Sequence, residues 1–162
     1  MTQSAFTTTH VRTTTAKGFA RVTKDFESRT GKFDPAVLRS KLASRASAAD
    51  ARSAIDAMAG SSGFMLFGTI NHGELLALFE EPRKAIQYSV GHPLIALQMT
   101  RRDLRAGLYA PLRVLIYEED GKTVLEYDRP SSLFGQFDDP EVSAVASSLD
   151  QKLEALVAAA TE

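Results

Sequence analysis

Residues 87–105 read QYSVGHPLIALQMTRRDLR. The opening alternates, with Gln87 and Ser89 set against Tyr88 and Val90, the period of two that a half-buried strand requires. At Gly91-His92-Pro93 the alternation stops and a helical spacing begins without a spacer. Proline lacks an amide hydrogen and has a fixed φ, so Pro93 suits the first position of a helix, which leaves His92 on the N-cap. The corner is therefore the end of a strand and the start of a helix.

The neighbours on both sides fit a sheet built around this strand. Upstream, residues 63–73, GFMLFGTINHG, form an apolar run bounded by glycines. Residues 73–82, GELLALFEEP, are too few for a parallel crossover with a full helix, so the two strands are antiparallel neighbours joined by a helical turn. Downstream, residues 111–117 and 122–128 flank Glu119-Asp120-Gly121, a hairpin signal. In the first of these, alternation puts Leu112, Val114 and Ile116 on one face and Arg113, Leu115 and Tyr117 on the other.

Farther out, residues 7–15 are threonine-rich and read as an edge-type strand, because β-branched side chains fit a pleated surface. Phe19, Val22 and Phe26 share one helical face, with Gly31 as its stop. Asp34-Pro35 and Ser47 to Asp50 open two short helices. Their alanine- and charge-rich stretch reads as an inserted helical pair over 35–60, less deeply buried than the rest. A last amphipathic helix over 139–160 carries Val142, Val145, Leu149, Leu153 and Leu156. The expectation is one α+β domain over 1–162, with a mostly antiparallel, four- to five-stranded sheet and helices packed on one face.

Composition sets limits on function. A net charge of −1 supplies no basic field for nucleic acid or an anionic membrane. With no cysteine there are no disulfides, thiolate metal sites or cysteine nucleophiles, and a cytoplasmic location is expected. The first residues lack the basic and apolar regions of a secretory signal, and no run reaches the roughly 18 apolar residues of a membrane span.

Four places carry candidate chemistry. At Gly91-His92-Pro93, unpaired amides at a helix start would attract a small anion or carboxylate, or else His92 itself caps the helix. His72, beside Glu74, has the makings of a general base or of an ordinary loop histidine. His72 and His92 fall at opposite strand ends, about 25 Å apart at ~3.3 Å per residue. No metal site and no cofactor are therefore expected. Arg113, on a half-apolar face, is a carboxylate-binding group, a dimer contact, or one half of a pair with Glu126 or Asp128 across the hairpin. Tyr127, with Phe134 and Phe137, lines a pocket rim or packs against the last helix.

Residues 63–76, 86–99 and 109–131 together resemble domain-of-unknown-function family 302, through Asn71-His72, Gly91-His92-Pro93, Ala110-Pro111-Leu112-Arg113-Val114 and Tyr127-Asp128. The close match runs over about 64–130. Asn71 stands where the family pattern has aspartate, and His92 where it has asparagine. The resemblance implies a strand, helix, four strands, helix plan similar to the TATA-binding-protein-like superfold, and a homodimer. It brings no activity, cofactor or catalytic residues. Three classes stay open: a homodimeric module that binds a small ligand, an interaction domain whose sheet face makes the dimer with no ligand, and an enzyme using His72, His92 or Arg113.

Overall fold

The computed structural model describes Met1 and residues 3–162. Its strands are β1 (His10–Thr15), β2 (Gly31–Lys32), β3 (Met65–Asn71), β4 (Ala85–Gly91), β5 (Leu112–Glu119) and β6 (Lys122–Asp128). Its helices are α1 (Phe19–Arg29), α2 (Pro35–Ala43), α3 (Ala48–Asp56), α4 (His72–Ala77), α5 (Pro93–Thr100), α6 (Pro130–Phe134) and α7 (Pro140–Thr161). The sheet runs β1-β6-β5-β4-β3-β2. All its pairings are antiparallel except that of β2 with β3.

The fold is α+β, but the sheet has six strands and is mixed, where four to five strands were expected. The difference is β2. Gly31 was expected to stop a helix; instead it pairs with Met65, and Lys32 pairs with Leu66. A two-residue strand has no alternation to read. It forms because the carbonyl of Phe64 accepts from both Gly31 (2.8 Å) and Gly60 (3.0 Å). Glycine is needed at both positions for close backbone approach. A Cβ at Gly31 would lie 1.8 Å from the Met58 oxygen, and one at Gly60 2.3 Å from the Arg29 oxygen.

One face of the sheet is covered. Tyr88 and Val90 of β4, Val114 and Ile116 of β5, and Leu125 and Tyr127 of β6 meet Val22 and Phe26 of α1, Met99 of α5, Phe134 of α6 and the buried stripe of α7. Each buried side chain of this kind stabilises by roughly 1.5–3 kcal/mol relative to an exposed one. The α7 stripe holds because Asp139 caps the helix, its side chain accepting from Glu141 (2.8 Å) and Val142 (3.0 Å). By contrast α2 buries no residue and α3 only Ile55.

The other face carries no helix over its centre. It presents His10 and Arg12 of β1, Glu126 and Asp128 of β6, Arg113, Leu115 and Tyr117 of β5, and Gln87 and Ser89 of β4, in register across the strands. A bulge between Leu66 and Gly68 supplies one extra residue, Phe67. That ring stacks on Phe33 with centroids 4.3 Å apart.

Candidate functional site

The Gly91-His92-Pro93 corner is built as a cap. His92 has extended backbone angles, and its Nδ1 accepts from the Leu94 amide at 3.2 Å. The Ile95 and Ala96 amides both donate to the His92 carbonyl at 3.0 Å, and Pro93 has no amide to offer. The donors expected to hold an anion are thus already taken, by the imidazole and by its own carbonyl. Beneath the corner lies a space of about 20 Å³ lined by Ile95, Met99, Leu112, Phe134 and Leu149. That is room for about one water and too little for a carboxylate or phosphate. Of the two readings of this corner, an anion site and a His92 cap, the geometry supports the cap.

The same geometry fixes the imidazole's chemistry. Because Nδ1 accepts, the ring hydrogen sits on Nε2, which faces Asp56 Oδ1 at 3.3 Å. Burial lowers the His92 pKa, the Asp56 carboxylate pulls it upward, and the Lys152 ammonium lowers it further. Burial prevails, since the side chain is only 9% exposed while Asp56 is largely in water. Neutral His92 is the capping form.

His72 opens α4, whose cap is its neighbour: Asn71 Oδ1 accepts from the Glu74 amide at 3.1 Å. An amide oxygen does this as well as a carboxylate would. The strand register puts Asn71 beside Ile86 and Met65 beside Gly91, so His72 and His92 mark opposite ends of the β3–β4 pair. Among the described residues no group of three His, Asp or Glu side chains is placed to hold a metal ion. Tyr127 points into the core and is 4% exposed, and burial raises its phenol pKa.

Arg113 lies on the helix-free face, as alternation required, and is exposed. The expected pair with Glu126 or Asp128 does not form. Those carboxylates are claimed from β1 instead: His10 Nδ1 is 3.1 Å from Asp128, His10 Nε2 is 3.4 Å from Glu126, and Arg12 Nε is 3.1 Å from Glu126. Tyr117 also donates to Glu126, at 2.9 Å, and Arg12 reaches Glu119. The bond to Asp128 raises the His10 pKa, burial opposes the rise, and Glu126 adds to it. His10 had no role assigned from the sequence. The signal for its role was present in the alternation of β1, but the partner strand could not be known without the strand order.

Among the described residues Arg113 makes no ion pair or side-chain hydrogen bond. It borders two adjoining hollows. One, of about 190 Å³, is lined by His10, Gln87, Leu115, Glu126, Tyr127 and Asp128. The other, of about 50 Å³, is lined by Leu108, Tyr109, Pro111, Leu112, Asp128 and Leu133. His92 lines neither of these, and neither does His72, so the three residues considered for catalysis do not share a cavity.

Comparison with known proteins gives a family and a fold. The family described as domain of unknown function DUF302 matches residues 40–160. No curated protein matches. A crystal structure of an uncharacterized conserved DUF302 protein from Bacillus stearothermophilus superposes with a TM-score of 0.65 at 17% identity, over 93% of this chain and 97% of that one. At that identity the likeness speaks for the fold alone.

Proposed function

The chain belongs to the DUF302 family, and from that premise we propose that it works as a homodimeric cytoplasmic module that binds a small carboxylate at Arg113 and carries out no chemistry of its own. The observation behind this reading is the unpaired guanidinium on the helix-free face. Arginine's planar fork matches a carboxylate in two parallel bonds. The acids beside it, Glu126 and Asp128, have their charge balanced by His10 and Arg12, so they repel an incoming carboxylate less than their number implies. Gln87 and Leu115 offer an amide and an apolar surface to the rest of the ligand. We also read the overall plan, apart from the inserted α2 and α3, as the TATA-binding-protein-like one: strand, helix, four strands, helix.

A second reading is favoured by Ile70, which is 54% exposed on the same side as Arg113. In it the sheet faces of two copies meet, Ile70 and Leu115 are covered, and Arg113 pairs with a carboxylate of the other copy. Sedimentation equilibrium of the wild type and of Arg113→Glu separates the two. Under the ligand reading the variant stays dimeric and loses acetate binding. Dissociation of the variant into monomers instead supports the ligand-free interface.

A further inference from the structure

On the opposite side of the molecule from the helix-free face, α1, the loop at 60–63 and α7 enclose a cleft of about 310 Å³ lined by Arg29, Ser61, Ser62, Lys152, Ala155, Leu156 and Ala159. We propose that this cleft is a second binding site, for a short amphiphilic carboxylate, with its head between Arg29 and Lys152 and its apolar body over Ala155, Leu156 and Ala159. The proposal goes beyond the Arg113 reading and does not depend on it.

Charge in the cleft stands without a counter-charge. The cleft is lined by two cations and no acid. Among the described residues neither Arg29 nor Lys152 makes an ion pair or donates a side-chain hydrogen bond, and the Ser61 hydroxyl has no partner. Elsewhere the molecule pairs a half-buried ammonium, Lys17, with Asp25 at 2.6 Å. Two unpartnered cations facing one hollow present donors that an anion satisfies, and charge-assisted bonds of this kind are the strong ones.

The wall of the cleft is held in place by its own hydrogen bonds. Ser62 donates to the Arg29 carbonyl twice, from its amide (3.0 Å) and its hydroxyl (2.8 Å), and its Oγ accepts from the Phe64 amide (3.2 Å). The loop is thereby locked onto the end of α1, against the glycine contacts at Gly31 and Gly60. Gly63 has φ +75°, and the Lys152 Nζ lies 2.9 Å from where its Cβ would stand. A side chain at 63 would push the ammonium away from its present place. The floor is apolar, with Leu156 beside Ala155 and Ala159, whose methyls leave room that longer side chains on α7 would fill. A volume near 300 Å³ is at the lower end of small-ligand pockets, hence a short body.

The probe is hexanoate, titrated into the full chain and followed by calorimetry and by the NMR signals of the Ala155 and Ala159 methyls and the Ser61 amide. Expected are saturable binding, shifts at those three positions, and tighter affinity than for hexanol or inorganic phosphate. Arg29→Met and Lys152→Met should each weaken hexanoate by about tenfold or more. Ala159→Leu should weaken hexanoate while leaving phosphate unchanged. Melting temperatures of the variants confirm that they are folded. Arg113→Gln should leave the hexanoate-induced shifts at Ala155, Ala159 and Ser61 unchanged, which keeps this test apart from that of the helix-free face, where a carboxylate probe also has a site. Absence of saturation, equal binding of hexanol, or hexanoate binding lost only in Arg113→Gln each overturns the proposal. Phosphate binding as tight as hexanoate, with the methyls unmoved, overturns it too by reducing the cleft to a basic patch.

Discussion

Replacing His92 by alanine removes the acceptor of the Leu94 amide at the start of α5. Loss of an N-cap side chain costs about 1 kcal/mol, within a range of roughly 0.5–2. The imidazole is also 91% withdrawn from solvent by its 9% exposure, so the space it leaves adds to the loss. The sum is about 1–3 kcal/mol, which in a chain of this length lowers the melting temperature by roughly 2–12 °C. Asparagine keeps an acceptor at the same place and should stay within about 1 kcal/mol of the wild type.

The pH dependence gives a second, independent reading of the same side chain. Folding lowers the His92 pKa below its ordinary 6.5, so between the folded value and about 6.5 the unfolded chain binds more protons. The stability that His92 contributes is complete above about pH 6.5 and is lost as pH falls through the folded value, where a proton on Nδ1 breaks the cap. His10 has the opposite sign: its pKa is raised, so its contribution is complete below about 6.5 and fades as pH rises through the folded value. Subtracting the stability of His92→Asn from that of the wild type cancels His10 and isolates His92. Urea unfolding at a series of pH values from 5 to 8 measures the difference. Equal losses in the alanine and asparagine variants at neutral pH, or a wild-type-minus-asparagine difference that does not fall on acidification, would refute the capping account.

Three further outcomes follow from the geometry. Asp56→Asn removes the one charge that holds the His92 pKa up, so NMR titration should find His92 losing its proton at a lower pH than in the wild type. Asp139→Ala uncaps α7 and should cost about 1–2 kcal/mol by chemical denaturation. Because the Val142 amide bond, chiefly, lowers the Asp139 pKa, the wild type's advantage should vanish as pH falls through that depressed value. Gly60→Ala places a carbon against the Arg29 carbonyl and should cost about 3 kcal/mol; a loss below about 0.5 kcal/mol would mean that the backbones there are not in close contact.

The sequence discloses elements whose period is long enough to repeat. Alternation from Leu112 to Tyr117 separated core from solvent, and the spacing of Val142, Leu149, Leu153 and Leu156 placed the stripe of α7. Features that depend on distant residues were not legible. The two-residue β2 exists through the Phe64 carbonyl, more than thirty positions along the chain. Pairing across its own hairpin was one of three roles open to Arg113, yet β1, lying on the far side of β6, brings His10 and Arg12 to those acids first. The cleft at Arg29 and Lys152 likewise joins residues from α1, a loop and α7, which no local pattern connects. What the sequence did disclose at His92 was its cap position; the hydrogen bonds of Ile95 and Ala96 then showed that nothing was left there for a ligand.

The most direct test of the central claim is an NMR titration of the labelled protein with acetate, following the Arg113 side-chain Nε–H signal. The account predicts a saturable shift of that signal, accompanied by Gln87 and Leu115, that does not occur with chloride at equal ionic strength. An Arg113 signal that responds no more to acetate than to chloride contradicts it.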